Sequence, residues 1–168
     1  LNRALNLFGH AISRYDHLVT FDGLPTRKKL EMLTRERGLP TGLHGLINDL
    51  KQIYTMEIVH ARCRPTFSHE YALSHLKARG FRLGVASNSV RGSVETMMRY
   101  AMLTQYFDFM LSNEDVVSGK PHPDIYLKAA ELTGLPASQC LVVEDNENGI
   151  AAAQAAGAKV MVVRDIHD

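Results

Sequence analysis

From Pro65 onward, short apolar runs alternate with helical patterns of about ten residues, and this alternation limits the possible folds more than any other feature. The apolar runs read FRLGVASNS at 81–89, FDFMLS at 107–112, CLVVED at 140–145 and KVMVVRD at 159–165. Strands that alternate with helices form βαβ crossovers, and these crossovers produce a parallel sheet. The sequence therefore predicts an α/β domain with a Rossmann-like parallel sheet and helices on both faces.

The residues before Pro65 carry helical patterns and no strand pattern. Apolar residues recur at helical spacing at 1–8 and 43–62, and GLPTRKKLEMLTRERGLP at 23–40 predicts a second helix between them. Thr26 is a candidate N-cap for the second helix, and Gly38 is a candidate stop for it. This part of the chain is therefore expected to form a small all-helical bundle.

We expect two domains, a helical one over 1–64 and an α/β core over 65–168, with the boundary where Pro65 breaks the pattern. The chain starts in what already resembles mid-helix and ends just past a strand. Both ends therefore favour a portion of a longer protein, with the helical domain truncated at its N-terminus.

The charge pattern disfavours nucleic acid and membranes as partners. The chain has 19 basic and 18 acidic residues without a basic block, a net charge of +1, and no apolar run of the ~20 residues that span a membrane. Cys63 and Cys140 lie far apart and outside metal-ligand spacing, which favours a cytoplasmic location with two inert thiols. The oligomeric state stays open.

Polar residues follow three of the predicted strands. Ser87 and Asn88 end the first strand, Lys120 follows the second, and Glu144 and Asp145 end the third. In an open parallel sheet, ligands bind beyond the carboxyl ends of the strands. We therefore expect one hydroxyl, one ammonium and two carboxylates to converge on one edge of the sheet.

This set of groups fits a phosphate and a divalent cation. A hydroxyl, neighbouring N–H groups and a lysine bind phosphoryl oxygens, whereas two carboxylates would repel them without a cation between. Hard oxygen ligands beside phosphate select Mg²⁺. Because neighbouring residues on a strand point to opposite faces, we expect Glu144 and Asp145 to share the cation only where the strand has ended.

Each residue taken alone has a simpler interpretation. Ser87 is compatible with an N-cap or turn role, Asn88 with a turn, and Lys120 with a solvated side chain. Glu144 or Asp145 could cap the alanine-rich helix that follows them. The order of the groups along the chain is what favours the joint site.

Three segments resemble motifs of a known family. GVASNS, GKPHPDIYLKAAELTGL and CLVVEDNENGIAAAQAAGAKVMVV are similar to the second, third and fourth motifs of the haloacid dehalogenase superfamily. The branch they most resemble contains phosphatases and phosphomutases similar to β-phosphoglucomutase, which carry a small helical cap. The resemblance implies that Ser87 and Asn88 bind the phosphoryl group, that Lys120 steadies it, and that Glu144 and Asp145 serve Mg²⁺; Ser87 and Lys120 would be the catalytic residues present.

The family's first motif, D-x-D-x-[TV], carries the nucleophile, and the chain lacks it. Phe21-Asp22-Gly23 offers one aspartate, but no second aspartate follows two residues later and no apolar strand precedes it. We therefore reject Asp22 as the nucleophile. The α/β core is expected to lack its first strand and its C-terminal end.

The resemblance implies a Mg²⁺-dependent phosphatase that acts on a small phosphorylated metabolite such as a sugar phosphate, through an aspartyl-phosphate on an aspartate upstream. A phosphomutase, or a non-catalytic phosphate-binding pseudoenzyme if the chain is naturally complete, are the alternatives. A response-regulator receiver also uses acids, a hydroxyl and a Lys-Pro pair. Receivers carry the acidic pair first, however, and this chain carries it last.

Overall fold

The computed structural model describes residues 1–21 and 24–164. The chain divides into two compact units, one over Leu1–Arg62 and one from Cys63 onward. Asp22, which we rejected as the nucleophile on the basis of the sequence, lies outside the described residues. The assignment of the first unit as a cap stays a prediction.

Within its described part, the first unit forms helices and helical turns and no strand, as the sequence predicted. Thr26 begins α3 (Thr26–Arg37), the helix that the sequence predicted as the second, instead of capping it. The preceding Pro25 occupies the N-cap position without a side-chain bond. Gly38 ends that helix with φ 69°, a left-handed conformation that glycine adopts without strain. The helices are α1 (Asn2–Asn6), α2 (Arg14–Asp16), a π-helical turn (His17–Phe21), α3 (Thr26–Arg37), a 3₁₀ turn (Thr41–Leu43) and α4 (His44–Arg62).

The core of this unit is one apolar cluster. Its members come from the start of the chain, the π-helical turn, α3, the loop after α3, and α4. The buried residues are Ala4, Leu5, Ile12, Phe21, Leu30, Leu33, Leu39 and Ile47. Ala4, Leu5 and Ile47 belong to the helical patterns from which the helices were predicted.

The second unit alternates helices and strands in the predicted order. Its helices are α5 (Phe67–Ala78), α6 (Arg91–Tyr100), α7 (Asp124–Thr133) and α8 (Glu147–Ala155). Its strands are β1 (Gly84–Ala86), β2 (Phe109–Leu111), β3 (Leu141–Glu144) and β4 (Lys159–Val162). Three 3₁₀ turns, Thr104–Tyr106, Asn113–Asp115 and Ala137–Gln139, lie between them.

The strands form two parallel pairs. β1 pairs with β2 in the register Val85 to Met110, and β3 pairs with β4 in the register Val143 to Met161. Within the described residues, β1 and β3 share no backbone ladder. The two pairs are instead joined by side chains at their carboxyl ends.

The alanine content of α8 follows from its packing. Ala152, Ala153 and Ala156 are buried together with Leu111 and Ile125. Small side chains let a helix approach a sheet closely, and larger ones would hold it away from the strands. This packing places the start of α8 beside the end of β3.

No helix in residues 1–21 and 24–164 is both long enough and apolar enough to cross a membrane.

Candidate phosphate and metal site

Lys120 lies at the centre of the predicted constellation. It is 8% exposed, and its Nζ donates a hydrogen bond of 3.1 Å to the carbonyl oxygen of Ala86 at the end of β1. The same Nζ forms an ion pair with Oε1 of Glu144 at the end of β3. One buried ammonium therefore connects the carboxyl ends of both strand pairs.

Tyr126, on α7, completes this cluster, and sequence reasoning missed it. Its hydroxyl donates a hydrogen bond to Oε1 of Glu144, and its ring centroid lies 4.8 Å from Nζ of Lys120. Burial raises the pKa of Tyr126 well above its ordinary value, and the hydrogen bond to Glu144 and the charge of Glu144 add to the rise. The phenol is therefore a neutral donor. No local sequence pattern singles out Tyr126, because its partner Glu144 lies 18 positions away in the sequence.

Glu144 still belongs to the strand. It is the last residue of β3 and stands opposite Val162 of β4. The expectation that both acids have left the strand is therefore wrong for Glu144, because its main chain continues the ladder and its carbonyl accepts from Val163 N–H at 2.9 Å. Its carboxylate turns inward to Lys120 and Tyr126.

Asp145 follows the strand and is exposed. The neighbouring residue Asn146 caps α8, because its Oδ1 accepts a hydrogen bond of 3.0 Å from the N–H of Asn148. Asp145 is thus not needed as the α8 cap, the simpler role considered for it. Its carboxylate is the more accessible of the two acids.

Ser87 opens the turn that follows β1 and is partly buried. Its N–H donates to the Leu111 carbonyl at 3.0 Å, which continues the β1–β2 pairing by one residue. Its Oγ accepts from the N–H of Ser89 at 3.1 Å, so the hydroxyl proton can be donated elsewhere. This arrangement suits a hydroxyl that faces an anion.

Asn88 uses its side chain within the protein. Its Oδ1 accepts from the N–H of Lys120 at 2.9 Å, and its Nδ2 donates to the carbonyl of Lys120 at 3.1 Å. The sequence predicted that Asn88 and Lys120 belong to one site, but it did not predict this direct contact.

A second layer supports the turn after β1. Ser112, only 1% exposed, donates from Oγ to Oδ2 of Asp115 at 2.8 Å, and Asp115 forms an ion pair with Arg91. These bonds hold the pKa of Asp115 below its usual range, chiefly through the N–H and hydroxyl of Ser112. The N–H of Asn113 in turn donates to the carbonyl of Ser89 at 3.1 Å. The loop after β2 therefore braces the turn that contains Ser87.

The donor types at the strand ends fit Mg²⁺. Glu144 and Asp145 supply hard carboxylate oxygens, and protein-bound Mg²⁺ commonly takes one or two carboxylates together with waters and phosphate oxygens. In the part of the chain that the structure describes, no three His, Cys, Asp or Glu residues cluster as a complete metal cage. Oε1 of Glu144 is engaged by Lys120 and Tyr126, whereas the side chain of Asp145 is exposed.

Several known proteins are similar in sequence to this chain. The bifunctional riboflavin kinase/FMN phosphatase of Arabidopsis thaliana is 38% identical over 92 residues, which cover 54% of this chain and 24% of that protein. Pyrophosphatase PpaX of Bacillus mycoides is 31% identical over 145 residues, which cover 77% of this chain and 66% of that protein. The chain thus spans less than two thirds of the length of these relatives.

The fold is shared with solved structures. The crystal structure of β-phosphoglucomutase from Clostridium difficile superposes with a TM-score of 0.81 at 18% identity, covering 99% of this chain and 76% of that one. The sequence profile of the haloacid dehalogenase-like hydrolases matches residues 1–163. Because this match covers nearly the whole chain, the chain belongs to the haloacid dehalogenase-like hydrolase family.

Proposed function

We propose that the complete protein is a Mg²⁺-dependent phosphatase that hydrolyses a small phosphorylated metabolite such as a sugar phosphate. The observation that carries the proposal is the buried ammonium of Lys120, held between the ends of β1 and β3. A buried cation at the carboxyl edge of parallel strands is suited to an anionic ligand. Family membership and the relatives named as phosphatase and pyrophosphatase support the same reaction class.

Each site residue has a proposed role. The Ser87 hydroxyl donates to a phosphoryl oxygen, and Lys120 neutralises charge on the phosphoryl group during transfer. The N–H groups of Ser87 and Ser89 are already used inside the protein. The main-chain N–H of Asn88 is therefore the proposed second donor from this turn.

Glu144 and Asp145 would hold the Mg²⁺, with Asp145 as the direct ligand and Glu144 oriented by Lys120 and Tyr126. When bound, Mg²⁺ supplies positive charge that offsets the phosphoryl oxygens. The nucleophile is proposed to be an aspartate of the complete protein outside residues 1–168, which would form an aspartyl-phosphate. The two unpaired thiols, Cys63 and Cys140, fit a cytoplasmic enzyme.

The proposal is tested by assaying the complete protein with p-nitrophenyl phosphate and a panel of sugar phosphates. Turnover that requires Mg²⁺, stops with EDTA and falls on the order of 10²-fold or more in Asp145→Asn is the expected result. Glu131→Gln, an exposed acid of α7, is the matched control and should keep wild-type turnover. Folded, Mg²⁺-bound protein that hydrolyses none of these esters would show that the proposal is wrong.

A further inference from the structure

The side chain of Asn88 makes a reciprocal pair of hydrogen bonds with the main chain of one distant residue. The Lys120 N–H donates to Oδ1 at 2.9 Å, and Nδ2 donates to the Lys120 carbonyl at 3.1 Å. The two residues are 32 positions apart in the sequence. The turn after β1 and the loop after β2 are therefore joined through a single amide group.

A carboxamide suits this contact. It carries an acceptor and a donor on one rigid plane, as a peptide group does, so it can pair with both polar groups of one residue. The fit is close, since a β-carbon added at Gly119 would lie 2.9 Å from Oδ1 of Asn88. A glycine before Lys120 thus leaves the space that the amide occupies.

The same lysine is attached to β1 at its other end. Its Nζ donates to the Ala86 carbonyl at 3.1 Å, while its main chain is held by Asn88, two residues further along. The main chain and the Nζ of Lys120 therefore both bond to one short segment, 86–88. Ser87, the proposed phosphate donor, is the middle residue of that segment.

We propose that Asn88 is a positioning residue, whose side-chain amide fixes the main chain of Lys120 and so sets the ammonium at a constant place relative to the Ser87 hydroxyl. This inference rests on the proposed phosphoryl transfer. The side chain of Asn88 acts through Lys120 and does not bind the phosphate itself. The lysine side chain has four rotatable bonds, so the position of its ammonium depends on a fixed main chain. Small displacements at a reacting centre cost on the order of 10²-fold in rate.

A double-mutant cycle in the complete protein separates these roles. Asn88→Ala, Lys120→Met and the double variant are compared with wild type in kcat/KM for p-nitrophenyl phosphate with saturating Mg²⁺. We expect Asn88→Ala to lose on the order of 10–10²-fold, mainly in kcat, and to add less than about 2-fold once Lys120 is Met. Multiplicative losses would overturn the inference, because a direct phosphate ligand or a purely structural residue acts with or without the lysine.

Gly119→Ala provides a matched second variant. Its new methyl group displaces the Asn88 amide while both functional side chains remain, so it should reproduce the loss of Asn88→Ala and should likewise add little in the Lys120→Met background. Gly92→Ala, at an exposed helical glycine with open space around it, is the control and should retain full activity. Wild-type turnover in Gly119→Ala would count against the inference.

Amide hydrogen exchange decides the inference independently of turnover. In the complete protein, the Lys120 N–H should exchange at least about tenfold faster in Asn88→Ala, because its acceptor has been removed. The Val163 N–H, which donates to the Glu144 carbonyl at 2.9 Å, should be unchanged. If no phosphate ester is hydrolysed, the proposed function fails, and unchanged Lys120 exchange would then refute the contact with Asn88 as well.

Discussion

Gly149 lies directly against the carboxylate of Glu144. A β-carbon at position 149 would collide with Cδ and both oxygens of that side chain. The acid is also held from the other side by Lys120 and Tyr126. The glycine in the first turns of α8 is therefore required by a site residue, even though a helix would otherwise favour alanine there.

Gly149→Ala should destabilise the complete protein by about 1–3 kcal/mol, the usual cost of inserting a methyl group into a packed region. The Glu144 side chain is flexible in principle, but moving it breaks the ion pair with Lys120. We therefore expect phosphatase activity to fall together with stability. Guanidinium unfolding and turnover of p-nitrophenyl phosphate measure the two effects.

Gly92→Ala is the matched control, because Gly92 also lies in a helix and a β-carbon there meets nothing within 4 Å. It should raise the free energy of unfolding by about 0.5 kcal/mol through helix propensity alone. Equal effects of the two substitutions would contradict the close contact at Gly149.

Tyr126→Phe should lower the free energy of unfolding by about 1–2 kcal/mol. The substitution keeps the ring beside the Lys120 ammonium but removes a buried hydroxyl that donates to the Glu144 carboxylate. Chemical unfolding of both proteins gives the difference directly.

The control for Tyr126→Phe is Tyr15→Phe, since the Tyr15 side chain is 72% exposed. That change should lie within about 0.5 kcal/mol of wild type. If Tyr126→Phe leaves the free energy of unfolding unchanged, Glu144 is held by Lys120 alone.

The sequence predicted the order of the elements and the residues that meet at the strand ends. Alternating apolar runs and helical spacing define the elements, and parallel strands place Lys120 and Glu144 on a common edge. Helix ends were also predictable, as Gly38 shows with φ 69° after α3. These features depend on local sequence and on the direction of the strands.

What the sequence could not predict depends on contacts between distant residues. The Asn88 amide meets Lys120, and Tyr126 meets Glu144, through separations of 32 and 18 positions that no local pattern encodes. The strands are also shorter than their apolar runs. The run that starts at Phe81 forms a ladder only from Gly84, because Asp108 takes the N–H of Leu83 with its carboxylate.

The hydrogen bonds of the Asp108 carboxylate predict that the stability of the protein depends on pH. Its carboxylate accepts from Lys77 Nζ at 2.6 Å and from the Leu83 N–H at 2.8 Å, and these bonds, the one from Lys77 foremost, hold the pKa of Asp108 below its ordinary value of 3.8. A lowered folded-state pKa stabilises the protein above the unfolded pKa, and this contribution disappears as pH falls through the folded pKa. Asp108→Asn should therefore be less stable than wild type at pH 6, and the difference should shrink below about pH 4.

Thermal unfolding from pH 6 to pH 2.5 measures this difference. Lys77→Gln, which removes the foremost partner and leaves the carboxylate in place, should show a smaller loss of the same sign. A difference between Asp108→Asn and wild type that is constant across the range would contradict the lowered pKa.

Ser112→Ala should cost about 1 kcal/mol of stability and should weaken the support of the phosphate turn. The hydroxyl is buried, donates to Oδ2 of Asp115 at 2.8 Å and accepts from the Glu114 N–H at 3.2 Å, so its loss removes the acceptor of the Glu114 N–H and one of the two bonds from Ser112 to Asp115. The N–H of Asn113, which reaches the Ser89 carbonyl, depends on this turn. Amide exchange at Asn113 should therefore accelerate along with the drop in unfolding free energy. Ser138→Ala, at an exposed serine in another 3₁₀ turn, is the control and should change neither quantity. If the Asn113 amide exchanges at the wild-type rate in Ser112→Ala, the bond from Asn113 to Ser89 does not depend on the Ser112 hydroxyl.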